Sequence, residues 1–221
     1  MSSLEVAPGL WFAGDTSLIG NRDNQTLERF HEKLLWSDAP DDRLHGLLSI
    51  VYWGYYASAD PKRAYNPGRA LKKVEHIVGG RVGQQKPSLD MIDAALRTAR
   101  TAVEDERLDV ALAAVMGIQN MGMSFASKVL MFFSPASAAV YDSVIAKKIH
   151  ALATTNDTWW PLYVNPLSPN TAKKAAAYKQ WCGFCGEKAV ALNASGTDWS
   201  DLGISGQAWR AVDVERSLFA M

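Results

Sequence analysis

Three side chains near the middle of this chain could do chemistry on a nucleotide. Asp142 opens the segment YDSVIAKKI, Ser124 lies 18 residues before it, and Lys128 follows Ser124 by four. A carboxylate can stabilise a positively charged, oxocarbenium-like sugar and orient a water for attack on it. An amine can instead attack as a nucleophile. Residues four apart share a helical face, so Lys128 could offer its amine one turn beyond Ser124. Asp142 also fits a helix N-cap, because Asp is among the best acceptors for the first free amides of a helix. One carboxylate can serve both ends. Ser124 reads equally well as an ordinary first-turn residue.

The elements that must position these groups lie in GIQNMGMSFASKVLMFFSPASAAVYDSVIAKKI, residues 117–149. The stretch reads as a helix end, a tight Gly/Asn hairpin, an apolar helix, a Pro-containing turn and a second helix opened by Asp142. A hairpin between two helices presents a row of backbone N–H groups, and the second helix adds the positive end of its dipole. Such a turn holds a phosphate without basic side chains. Gln119, Asn120, Met121, Gly122 and Met123 form it. Asn120 is the non-Gly residue type that best tolerates a left-handed backbone.

This segment resembles the helix-hairpin-helix DNA glycosylase superfamily, and most closely its bacterial 8-oxoguanine-glycosylase-like members. Ile118 to Gly122 stand where that family has an apolar-Pro-Gly-apolar-Gly turn, with Gln119 for the Pro and Asn120 for the first Gly. The resemblance makes Asp142 the catalytic Asp. It places Ser124 where bifunctional members carry a nucleophilic Lys, which leaves Lys128 as the amine nearest to that position. It implies an all-α fold of two helical lobes with a cleft between them. It also implies a base-excision activity in which a modified base, an oxidised purine such as 8-oxoguanine favoured, is flipped out of double-stranded DNA and removed by Asp-assisted hydrolysis. The hairpin residues, with Lys147 and Lys148, would grip DNA. A base pocket would draw on Trp53, Tyr56, Phe125, Trp209 and Arg210, of which the helical aromatics also fit a core. Three other readings stay open. They are a non-catalytic DNA-binding module, a glycosylase that removes bulky modified bases from phage DNA, and a bifunctional glycosylase/lyase using Lys128.

Composition bounds these readings. A chain of 221 residues with 48% hydrophobic and 21% charged residues fits a globular protein. We expect one unit over 1–221, with the hairpin and catalytic segment at 108–150. A net charge of zero excludes a general polyanion-coating protein but not an enzyme that holds a few phosphates through backbone groups. No apolar run approaches the ~20 residues that span a membrane, and the first residues lack a signal-peptide pattern. A monomer in the cytoplasm is the expectation. Only two cysteines occur, Cys182 and Cys185 in WCGFCG. Zinc needs more ligands and an iron–sulfur cluster needs more thiolates, so no metal or cofactor is expected. The four histidines show no metal or triad spacing.

The periodicity predicts helices nearly throughout. Asn24, Asp41, Asn66 with Pro67, and Ser88 mark helix starts, and Gly79-Gly80 marks a stop. Leu89, Ile92, Leu96, Ala99 and Val103 step by three and four. Further helices are predicted at 107–118, 123–133, 142–153, 170–192 and 206–219. Short strands are conceivable near Leu10 to Phe12 and Trp159 to Val164. Residues 154–169 read as a long loop whose Trp159, Trp160 and Tyr163 could meet DNA.

Overall fold

The computed structural model describes residues 5–7, 10–11, 25–56, 66–196, 199–201 and 204–220. Among them the fold is all-α, with two short antiparallel strand pairs, Glu5–Ala7 (β1) with Leu10–Trp11 (β2) and Trp199–Asp201 (β3) with Ile204–Gln207 (β4). The helices are α1 (Gln25–Leu35), α2 (Pro40–Tyr56), α3 (Pro67–Gly79), α4 (Leu89–Glu104), α5 (Leu108–Met116), α6 (Met123–Phe133), α7 (Ser143–Ala153), α8 (Thr171–Ala194) and α9 (Ala211–Ala220). None of them is long and apolar enough to cross a membrane.

Local chemistry explains most boundaries. The Asn66 side chain accepts from Arg69 N at the start of α3, with Pro67 in the first helical position, where its missing N–H costs nothing. Gly80, at φ 75°, ends that helix. The Ser88 hydroxyl accepts from Met91 N to open α4. On α4 the apolar stripe buries Ile92, Leu96, Ala99 and Val103, while Leu89 is exposed. The Asn24 cap falls outside the described residues, and α2 begins at Pro40, one residue ahead of Asp41.

Two expectations need correction. The last predicted helix, 206–219, is shorter, because residues 204–207 pair as β4 and the helix starts at Ala211. The segment Trp159 to Val164 is not a strand. Asp157–Leu162 forms a 3-10 helix opened by Asn156, whose side chain accepts from Thr158 N. The stretch 154–169, predicted as a long loop, thus contains this one short helix. Within them Trp159 packs on Phe184 at 5.0 Å between ring centroids, and Trp160 and Tyr163 set their rings against His150.

The core runs along α2, α5, α6 and α8. Trp181 of α8 is fully buried, and its Nε1 donates to Val140 O at 3.0 Å. Cys182 and Cys185 are buried beside it, and burial pushes the Cys182 thiol up to about 12. Neither sulfur is poised as a thiolate, so the pair packs as small apolar side chains do.

His31 is a buried polar group with a measurable consequence. Its Nδ1 bonds Leu27 O at 2.9 Å and its Nε2 bonds Ser49 Oγ at 2.9 Å, with Phe132 against the ring. Burial drops its pKa from 6.5 to about 3. The unfolded chain therefore binds a proton that the folded one refuses, and stability falls as pH drops from 6.5 towards 3. We expect His31 alone to contribute on the order of 4 kcal/mol to that loss. Thermal unfolding of His31→Gln across this range should show a clearly flatter pH slope than wild type, and an unchanged slope would refute the assignment.

Candidate functional site

The hairpin between α5 and α6 is tightly anchored. Ile118, Met121 and Met123 are buried and anchor it in the core. Asn120 takes φ 67°, the left-handed conformation its residue type tolerates. Its Nδ2 donates to His76 O at 2.9 Å and to Gln84 Oε1 at 3.1 Å, and Gln119 Nε2 donates to the same oxygen at 3.1 Å. Gly122 precedes α6 with an extended backbone and provides no side-chain cap. Phe125 N and Ala126 N both donate to Gly122 O, at 3.1 and 2.9 Å, which leaves the first two amides of α6, Met123 N and Ser124 N, without an intrahelical acceptor. A Cβ built on Gly122 would meet nothing within 4 Å. The open end of the helix dipole and the free amides together suit an incoming anion.

Asp142 is the N-cap of α7. One carboxylate oxygen, Oδ1, accepts from Val144 N at 2.9 Å and Ile145 N at 3.1 Å. The other, Oδ2, lies 3.4 Å from Lys128 Nζ. The two side chains are 17% and 13% exposed, so the pair is shielded but reachable. The cap bonds hold the carboxylate in the rotamer that sets Oδ2 beside the amine.

Several contacts deliver Asp142 to this place. Ser127 is fully buried on α6, and its hydroxyl accepts from Tyr141 N at 2.9 Å. The Tyr141 hydroxyl accepts from Val164 N at 2.8 Å and reaches Leu162 O at 3.0 Å. Trp181 holds Val140, and α9 donates Ala211 N to Ala136 O and Val212 N to Pro135 O. Lys128 is placed by α2. An added Cβ on Gly54 would sit 2.7 Å from Phe125 Cε1 and 3.4 Å from Lys128 Cδ. Only glycine lets α6 bring these side chains so close. Sequence reading passed over Gly54 and Ser127, although a glycine inside a helix is itself a signal of close approach.

Glu215 of α9 is a further member of this cluster that the sequence did not reveal. It is buried, and burial pushes its carboxyl up to about 8 against the pull of Lys128 and Arg216, with Asp142 and Asp213 pushing the same way as burial. A carboxyl raised in this way favours its protonated form, which keeps a further buried negative charge out of the cluster.

The main cavity near the hairpin has a volume of about 590 Å³ and is lined by Ser124, Ser143, Lys147, His150, Tyr163 and Asn165, among others. It lies between the first turn of α6 and the outer face of α7. Neither Asp142 nor Lys128 lines it, and Lys147 does so while Lys148 does not. Ala146, Pro166 and Leu167 add apolar wall to these polar groups, so the cavity is mixed in character.

The candidate pocket residues make these contacts among the described residues. Tyr56 is buried and stacks on Tyr52 at 5.8 Å. Trp53 is half-buried, edge-on to Phe132, with Nε1 buried and lacking an acceptor. Phe125 stacks on Tyr55 at 4.3 Å, over which Arg69 and Lys73 stand as cations. The Trp209 backbone is clamped by the Asn193 side chain. Arg210 is engaged by carboxylates of the chain itself. It bonds Glu28 at 2.7 Å and Asp213 at 2.9 Å, and Arg216 joins the same two carboxylates. Among the described residues no group of three or more His, Cys, Asp or Glu side chains is placed to hold a metal ion.

Neither curated proteins nor solved structures contain a match to the chain. A family model matches residues 15–219, nearly the whole length, and its description is "Putative 8-oxoguanine DNA glycosylase OGG-like protein". The all-α fold agrees with that match, and the chain belongs to this OGG-like DNA glycosylase family.

Proposed function

We propose that this chain is a monofunctional DNA glycosylase that excises a modified base from double-stranded DNA, with oxidised purines such as 8-oxoguanine as the substrate class. The observation that carries this is the Asp142 carboxylate, locked by its cap bonds at the end of the hairpin with Oδ2 3.4 Å from Lys128 Nζ. In the reaction, the bond from C1′ to the base nitrogen breaks and its electron pair leaves with the base. Asp142 stabilises the positive sugar and orients a water, whose oxygen forms the new bond to C1′. The water's proton ends on the departing base, and an abasic site remains. The hairpin amides, with Lys147 and the cavity beside it, would hold the strand through phosphates. Trp53, with its unspent indole N–H, and Phe125 are the pocket candidates we retain. A DNA substrate is met in the cytoplasm, where we expect the protein to act as a monomer.

A second reading rests on the same distance. The Lys128 amine could attack C1′ itself and carry the reaction through to strand cleavage. A panel of duplexes, each with one modified base, separates the two. Cleavage only after alkali supports hydrolysis. Strand breaks without alkali, with a borohydride-trapped adduct lost in Lys128→Ala, support the lyase. No base release across the panel overturns both and favours a non-catalytic module.

The grip has its own test. Gly122→Phe should fill the space where a phosphate would approach the α6 amides. We expect duplex binding to weaken roughly ten-fold, with thermal stability within about 0.5 kcal/mol of wild type. Unaltered DNA affinity would remove the hairpin from the interface.

A further inference from the structure

Cations outnumber acids along α3. Arg69, Lys72, Lys73 and His76 share the helix with one acid, Glu75. Arg81 follows the helix end, and no acidic residue occurs between Glu75 and Asp90. The Arg69 guanidinium and the Lys73 amine stand 5.0 and 5.3 Å from the centre of the Tyr55 ring, on which Phe125 stacks. A narrow slot lies where these groups meet the hairpin, lined by Tyr55, Lys73, His76, Arg81, Asn120 and Phe125, among others.

Like charges gathered in this way repel each other. Burial first, then Arg81, Arg69 and Lys72, hold the Lys73 amine below the ordinary lysine value. Burial, then Lys73, Arg81 and Lys72, lower His76, with Glu75 opposing them. Among the described residues neither the Lys73 amine nor the Arg81 guanidinium meets a carboxylate. His76 is unsatisfied as well. Its Nδ1 is shielded from solvent and has no hydrogen-bond partner, a state that costs free energy unless something enters the slot. The backbone of the same residue is tied to the hairpin, where Asn120 Nδ2 donates to His76 O at 2.9 Å.

The slot has a volume of about 10 Å³, room for one oxygen atom the size of a water. A water there would satisfy His76 but leave the two charges uncompensated. An anion with several oxygens can place one in the slot and keep the others at its mouth, beside the exposed Arg81. Guanidinium and ammonium groups are the side chains that bind phosphate.

We infer that this slot between α3 and the hairpin is a binding site for one phosphate group, held by Lys73, Arg81 and the Nδ1 of His76. It shares no lining residue with the cavity at Lys147. The group is a phosphodiester of bound DNA or a free phosphate ion, one chemistry with two sources. The first source rests on the glycosylase reading above, and the second does not.

The test uses the whole protein with Lys73→Gln, Arg81→Gln and Lys86→Gln. Lys86 lies in the turn after α3, is exposed and does not line the slot, so it controls for net charge. In the first arm inorganic phosphate is added at constant ionic strength, with chloride as the balancing anion. The melting temperatures of wild type and Lys86→Gln should rise by roughly 3–6 °C at about ten times the dissociation constant. Those of Lys73→Gln and Arg81→Gln should rise by less than about 1 °C. In the second arm the affinity for an undamaged and a lesion-bearing duplex is measured against salt. Lys73→Gln and Arg81→Gln should weaken both duplexes alike and reduce the salt slope by about 1, with Lys86→Gln unchanged. A response in the duplex arm assigns the site to a phosphodiester, and a response to inorganic phosphate alone assigns it to the free ion. Silence in both arms overturns the site, as does a Lys86→Gln variant that behaves like the other two. Base release is read separately. Its absence would sink the glycosylase reading while a response in either arm keeps the site, and base release with both arms silent would sink the site alone.

Discussion

Asp142→Asn is expected to lower base release by about 10³-fold, roughly 4 kcal/mol of transition-state stabilisation, while leaving the fold intact. The two halves of this expectation have separate causes. Asn caps a helix about as well as Asp, so the bonds from Val144 N and Ile145 N can be kept. What is lost is the negative charge beside the forming sugar cation and the partner of Lys128. Asp142→Ala removes the cap as well and should cost about 1 kcal/mol of stability in addition. Single-turnover release, read as alkali-labile sites, measures the first effect, and thermal unfolding measures the second. A rate for Asp142→Asn within ten-fold of wild type would exclude Asp142 as the catalytic carboxylate.

For Arg210→Met the expected loss is in stability, about 3 kcal/mol, with base release per folded molecule within about three-fold of wild type. Arg210 is three-quarters buried and lies between Glu28 and Asp213, which are almost wholly shielded. Removing it leaves two buried carboxylates with Arg216 as their remaining cation. The melting temperature should fall by roughly 6–12 °C for a chain of this size. Burial raises the Glu28 pKa, but Arg210 and Arg216 outweigh that effect and the net shift is downward. The stabilisation is therefore present above the ordinary carboxylate range and lost as pH falls through it. The difference between wild type and Arg210→Met should narrow in acid. A variant of normal stability that no longer releases base would restore Arg210 to the pocket and refute the structural role.

The contrast between Asp142 and Arg210 shows what kind of information each carried. Asp142 could be found because its position depends on neighbours a few residues away. A capping acid before an apolar helix is a local pattern, and so are the Asn120 turn, the Asn66-Pro67 start and the Gly80 stop. The Arg210 pairing could not be read from the sequence, because its partner Glu28 lies 182 residues earlier. No periodicity reports such a pairing. The 3-10 helix at Asp157–Leu162 was missed for an intermediate reason. Its Asn156 cap is local, but Pro161 and the aromatics around it resemble a loop until Phe184 and His150 are brought against them.

By itself the sequence determined the helical class, the hairpin, the helix that Asp142 opens and the family resemblance, because turn chemistry, capping and hydrophobic period all act over a few residues. Tertiary structure alone decided that Lys128 reaches the Asp142 carboxylate, that Gly54 makes room for it, that Glu215 lies buried near both, and that Gln84 ties the turn after α3 to the hairpin. Hydrophobic patterning records which face of a helix is covered but not which residue covers it. The partner is settled only when distant segments pack and distances of 3 to 4 Å exist.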